Sequence, residues 1–198
     1  GTDSFSYLVN DGSSSILHYW ALEGNAVDTV GGANGSLMNS PTTITGVSGN
    51  ALQFDGSDYV ALPDVTYPSN FTLSFYFKVS DNSGTGIQYL YSHGAPGSTN
   101  SVQVAIIESS YAEISRRNHL VTSFIDANDD PYNGQLFTDV SGLIGDGQWH
   151  LYTATVTAGV GTKVYVDGAL RASNATGGNG INPTGTAVIG GRSDLAAD

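Results

Sequence analysis

Asp126, Asn128 and Asp130 stand at alternate positions of the stretch DANDDPYNG. Oxygen-bearing side chains spaced in this way on a tight loop can converge on Ca²⁺, a hard cation that takes about six to eight oxygen ligands. A helix–loop–helix calcium loop would place Gly at its sixth position and Glu at its twelfth. Here those positions hold Pro131 and Phe137, so that motif is absent and the competing reading is a solvated polar turn. The same stretch contains Tyr132 beside Asp129 and Asn133. Sugar recognition needs an aromatic face for the apolar side of the ring and a few fixed polar groups for the hydroxyls, and these three residues supply both. Tyr89 and Tyr91 alternate on one candidate strand and are expected to line one face, and Arg116 lies near Tyr111 as a further polar anchor.

Catalytic constellations are weaker. The chain has three glutamates, Glu23, Glu108 and Glu113, and no Glu-x-Asp-x-Glu pattern. Cleavage of a glycosidic bond calls for two carboxyl groups flanking it. Glu108 and Glu113 are five residues apart, which in an extended strand would point them to opposite faces. His119 with Arg116 and Arg117 imitates part of a polysaccharide-lyase set without the strand motifs that would surround it. The four histidines, His18, His93, His119 and His150, show no metal-ligand spacing. Asp55 and Asp58 in FDGSDYV suit a tight turn better than a site. The expectation is a protein without catalytic activity.

The elements that must position these residues are short strands. Glycine is abundant at 26 of 198 residues, and charged residues make up only 12%. Such a composition suits many strands joined by tight turns. Candidate strands are 17–22, 51–54, 59–62, 71–79, 87–92, 102–107, 120–125, 150–156, 163–166 and 186–189. Phe71, Leu73, Phe75, Phe77 and Val79 set five apolar residues on one face at a period of two. Asp167-Gly168 suits a type I′ hairpin turn, with Leu170 opening the return strand. About ten short strands separated by turn signals predict an all-β, antiparallel two-sheet sandwich. Eighteen acidic against six basic residues give a formal charge of −12, which argues against nucleic acid and anionic membranes as partners. No apolar run approaches the roughly 20 residues of a membrane span. Without cysteine there is neither a disulfide framework nor a thiolate metal site.

Four segments resemble, in order and spacing, the laminin-G-like domains of the concanavalin-A-like jelly rolls. They are HYWALEGNAVDTVGGANGSL (18–37), SGNALQFDGSDYVALP (48–63), NFTLSFYFKVS (70–80) and DGQWHLYTATVTAGVGTKVYVDGALRAS (146–173). The resemblance implies a jelly roll over 16–198 and core-packing roles for Trp20 and Trp149. It also implies Ca²⁺ as candidate cofactor, with Asp28, Asn100 and Asp194 as further ligands. Residues 1–15 are similar either to the last strand of a cadherin-like or immunoglobulin-like repeat or to an N-terminal strand with a linker. The family's closing strand is expected beyond Asp198, so the chain is expected to be part of a larger multidomain protein. The function implied is a non-catalytic, lectin-like module of a secreted or surface bacterial protein that binds a poly- or oligosaccharide. A spacer or protein-binding adhesion domain is the first alternative, and a divergent lyase or glycoside hydrolase the second.

Overall fold

Phe71, Leu73, Phe75 and Phe77 are all buried while the residues between them are half-exposed, as the period-two pattern requires of a strand with one face on a core. This strand lies at the centre of a computed structural model that describes residues 2–10, 14–80, 83–95, 98–126, 135–175 and 180–193, with side chains from residue 15 onward. Its strands are β1 (Thr2–Asn10), β2 (Ser14–Trp20), β3 (Ser36–Met38), β4 (Thr42–Thr45), β5 (Asn50–Gln53), β6 (Tyr59–Leu62), β7 (Asn70–Phe77) and β8 (Ile87–His93). They continue with β9 (Ser101–Ile107), β10 (His119–Ile125), β11 (Gln135–Asp139), β12 (His150–Thr157), β13 (Gly161–Val166), β14 (Ala169–Asn174) and β15 (Ala187–Ile189).

Two antiparallel sheets form the sandwich. One runs β14-β13-β12-β7-β1-β5-β4, with β2 paired to β1 off that path; the other runs β11-β10-β9-β8-β15-β6-β3. Between them the inward residues of β7, β12 and β13 meet Val102, Val104 and Ile106 of β9 and Leu120 and Phe124 of β10. A polar link crosses this core: the hydroxyls of Thr122 and Tyr152 are hydrogen-bonded at 2.8 Å. The expected jelly-roll class is the observed one.

The strand expected around Phe5–Val9 falls within β1, whose backbone pairs with β7 from Phe5 to Leu8 and with β5 at Thr2. The strand expected over 17–22 stops at Trp20, because Leu22 takes a left-handed φ of 56° while its side chain stays in the core. Asp167 and Gly168, with φ of 52° and 76°, form the hairpin turn between β13 and β14 that their types predict. Trp20 is core, its indole N–H donating to the carbonyl of Ala33 at 2.8 Å. Trp149 is not: it sits half-exposed just before β12, with the Lys78 ammonium 5.3 Å from its ring centre.

Candidate functional site

The face of β8–β11 turned away from the core carries a cleft of about 290 Å³, and it adjoins a larger one of about 550 Å³ beside β8, walled by residues 53–56, 78–80 and 190–192. Register decides which residues reach that face. Ala105 and Gln103 on β9 alternate with the core residues Val104 and Ile106, and on β10 Val121 alternates with Leu120 and Thr122. Val121 lies opposite Phe137 of β11 and opposite Ala105 of β9. The floor of the smaller cleft is therefore apolar, with Ala105, Ile107, Val121 and Phe137. Gln103, Gln135, Tyr111 and Arg116 complete its lining, and Ile87, Tyr89 and Arg192 are walls of both clefts. Ser123, in register with Gln103 and Gln135, has a buried hydroxyl without a partner among the described residues.

Two cations sit on rings here. The Arg192 guanidinium is 5.7 Å from the centre of Tyr89, and that of Arg116 is 5.0 Å from the centre of Phe137. Arg116 also pairs with Glu113 at 2.9 Å. The larger cleft has two acids on its walls. Glu108 accepts from the backbone N–H of Gly86 at 2.5 Å and from the Gln88 amide at 2.8 Å. Asp55 accepts from the backbone N–H and the hydroxyl of Ser57, both at 2.9 Å, and these bonds hold its carboxyl below the usual carboxylate range.

Of the expected sugar-binding residues, Tyr89 and Arg116 line the smaller cleft, but Tyr91 does not. A bulge at Leu90 inserts one residue between them, so that Tyr89 faces Ala105 and Tyr91 faces Val104. The added residue reverses the alternation and turns Tyr91 into the core, 1% exposed. There its hydroxyl bonds that of Tyr67 at 2.5 Å, and Tyr67 in turn bonds Nδ1 of His93 at 3.1 Å. His93 Nε2 lies 3.2 Å from the Asp64 carboxylate.

Asp28, expected as a metal ligand, is committed to closing its own loop. Its Oδ1 accepts from the backbone N–H groups of Tyr19, Val30 and Gly31 at 2.9–3.0 Å. Its Oδ2 accepts from Ala33 N–H at 2.9 Å and lies 2.7 Å from Nδ1 of His18. Burial works against the charge, but these donors outweigh it and hold the carboxyl well below the usual range. Gly31 must lack a side chain, because a Cβ there would meet the His18 ring and the Leu17 carbonyl at 2.3 Å.

Asn100 and Asp126 do come together. The backbone N–H of Asn100 donates to the carbonyl of Asp126 at 3.2 Å, and both residues are part of one corner with the Gly94 turn. Asp126 is buried, and Asn100 Oδ1 is a buried oxygen with no hydrogen-bond partner among the described residues. Ser193 donates to the Gly94 carbonyl at 2.7 Å and ties the end of the described chain to the same corner. No group of three His, Asp or Glu side chains arranged for a metal is found among the described residues. Asn128, Asp129, Asp130, Tyr132, Asn133 and Asp194 lie outside those residues.

Arg192, Lys78, Gln103, Gln135 and Phe137 are cleft residues that the sequence did not single out. For Gln103 the available signal was its place between core positions Val102 and Val104; for Arg192 it was its place two residues before the candidate ligand Asp194.

Comparison with known proteins agrees with this architecture. The laminin-G-type family profile of the concanavalin A-like lectin/glucanases superfamily matches residues 54–198. No curated protein matches the sequence. Among solved structures, domain 4 of AbnA, a GH43 extracellular arabinanase from Geobacillus stearothermophilus in complex with arabinotriose, is similar with a TM-score of 0.63 at 12% identity. That likeness covers 96% of this chain and 84% of the other. The botulinum neurotoxin serotype D ligand binding domain in complex with N-acetylneuraminic acid is similar with a TM-score of 0.59 at 16% identity, over 93% of this chain and 42% of that one. Domains LG4-5 of the mouse laminin α1 chain give 0.50 at 14%, over 70% and 33%. The chain thus spans less than half of the toxin domain and about a third of the laminin pair. At such identities the likeness speaks for the fold.

Proposed function

Because the chain belongs to the concanavalin A-like lectin/glucanases superfamily, we propose that it is a non-catalytic carbohydrate-binding module and that the cleft on β8–β11 and the larger one adjoining it are its glycan site. The observation that carries this reading is the composition of the smaller cleft. An apolar floor with aromatic side chains suits the C–H faces of sugar rings, and Gln103, Gln135 and the two arginines suit hydroxyls. The arabinotriose-bound and sialic-acid-bound neighbours support a sugar ligand on this fold. A role in a larger secreted or surface protein is supported by the extracellular enzyme from which the first of them comes.

Catalysis is disfavoured by chemistry at the cleft walls. A glycosidase needs one protonated carboxylic acid beside the bond it cuts. Asp55 is kept ionised by the Ser57 donors, and Glu108 is taken up by Gly86 and Gln88.

Ca²⁺ belongs in the same reading as a structural ion at Asn100 and Asp126. The orphaned Oδ1 of Asn100, on a residue whose backbone N–H bonds the carbonyl of the buried Asp126, is what an oxygen-seeking cation would satisfy. A ligand that binds only the folded state raises the unfolding midpoint. The midpoint is therefore expected to rise when Ca²⁺ replaces EDTA, and Asn100→Ala is expected to remove the increment; an unchanged midpoint in the parent protein contradicts the ion.

The test of glycan binding is affinity electrophoresis through gels containing single polysaccharides, comparing the parent protein with Tyr89→Ala and Tyr91→Phe. Retardation by at least one polysaccharide is expected, weakened up to about tenfold by Tyr89→Ala, the worth of one aromatic contact. Tyr91→Phe, inside the core, should leave it unchanged. No retardation by neutral or acidic polysaccharide would favour the spacer reading.

A further inference from the structure

Resting on that reading of the clefts, we propose that the glycan is acidic and that the smaller cleft receives its anionic group, a carboxylate or sulfate carried on a sugar ring. The argument is the placement of charge. Acidic residues outnumber basic ones eighteen to six over the chain, whose cations are Lys78, Arg116, Arg117, Lys163, Arg171 and Arg192. Three of these six, Lys78, Arg116 and Arg192, line the two clefts. A fourth, Arg117, stands beside them, donating from Nε to the carbonyl of Tyr111, which is itself a cleft residue. The smaller cleft is lined by two arginines and by no Asp or Glu. On a molecule with formal charge −12, a neutral sugar gains nothing from this segregation, whereas an anion finds in the smaller cleft a lining that carries two guanidinium groups and no carboxylate.

The guanidinium suits the task. Its planar fork binds carboxylate or sulfate oxygens in pairs, which a hydroxyl cannot match. The pairing of Arg116 with Glu113 does not oppose it. Both side chains are roughly half-exposed, at 41% and 50%, and an exposed pair of this kind contributes little. A ligand anion therefore competes for Arg116 at small cost. Arg192, a wall of both clefts, stands where an anionic ring in the smaller cleft meets its neighbour in the larger one. There Asp55 and Glu108 are held by N–H donors and Lys78 supplies a balancing charge. The ligand that fits both clefts is a chain of several sugars with acidic residues along it.

The test is calorimetric titration with two matched pairs of oligosaccharides: oligogalacturonate beside its neutral methyl ester, and a sulfated oligosaccharide beside its desulfated form. At least one acidic member is expected to bind roughly tenfold or more tightly than its neutral counterpart, the worth of one charge-assisted hydrogen bond. Which pair shows the difference distinguishes carboxylate from sulfate. Affinity should fall with added NaCl, as exposed charge pairs are screened. Arg192→Gln and Arg116→Gln should each remove most of the preference, whereas Lys163→Gln, an exposed cation outside the clefts, should leave it intact. Neutral and acidic forms binding alike, with both weakened by Tyr89→Ala, would overturn the acidic specificity and leave the glycan site standing. Acidic binding that survives the Arg116→Gln/Arg192→Gln double variant would also overturn it. Binding of none of these oligosaccharides by a protein that neutral polysaccharide gels retard would overturn the acidic specificity alone, and absence of binding in both assays would overturn both readings.

Discussion

Tyr89 and Tyr91 differ by two positions in sequence and by the whole thickness of a sheet in role. Tyr89 is half-buried on the outer face under Arg192, while Tyr91 ends a buried chain of hydroxyls that runs through Tyr67 to His93. Tyr91→Phe removes one buried hydrogen bond and should cost about 1 kcal/mol in denaturant unfolding, with glycan binding unchanged. His150 carries a second prediction. Burial alone would lower its pKa, but Asp167 at 2.8 Å and Asp146 at 3.2 Å outweigh burial and raise it above its ordinary 6.5. The folded protein thus holds this proton more tightly than the unfolded chain. The stabilisation is complete below pH 6.5 and is lost as pH rises through the elevated folded value. The two carboxylates work in the other direction: their pKa values are lowered, so their share is lost only in acid. His93, lowered chiefly by burial, likewise gives up its share on the acid side. Melting curves between pH 6 and 9 should show a fall in midpoint that is absent from His150→Gln; equal slopes in both would refute the role given to His150.

At the level of elements, the turn between β13 and β14 depends on backbone that only some residues adopt readily. Gly168 has φ of 76°, so Gly168→Val should cost about 1–2 kcal/mol in denaturant unfolding. A variant as stable as the parent would mean that the turn relaxes to another type. That hairpin was legible in the sequence because Asp-Gly and the flanking alternation are both local signals. So was β7, where four apolar residues share one face. The strands that escaped notice lacked such a signature. β3 and β4 bury almost nothing, and in TTIT only Ile44 is even half-buried. They are strands because β5 and β6 offer them partners, which no local pattern announces. The bulge at Leu90 was equally hidden. Ile87-Gln-Tyr-Leu-Tyr reads as an uninterrupted strand, and only pairing with β9 shows that one residue is extra. Half of the tyrosine expectation failed on that single insertion.

For the molecule as a whole, sheet order was not legible, because it depends on contacts between residues far apart in the chain. β1 lies between β7 and β5, with β2 also paired to it. Removal of residues 1–13 should therefore expose the β7 edge and detach β5 and β4 from the sheet. A drop in the unfolding midpoint, accompanied by self-association in gel filtration, is the expected result; a truncated chain that melts with the parent would show that the sandwich does not need this strand. The cleft is a product of the same long-range order, since β8 to β11 bring Tyr89, Gln103, Val121 and Phe137 onto one face. The polar stretch 127–134 carries the densest local signal in the sequence, whereas that face is spread over four strands. The most direct test of the account is a titration of ¹⁵N-labelled protein with the tightest-binding oligosaccharide, followed by amide and arginine side-chain shifts. Shifts concentrated at Tyr89, Gln103, Tyr111, Arg116, Gln135 and Arg192 are predicted. Shifts that leave these residues unmoved and gather elsewhere on the sandwich would contradict the central claim.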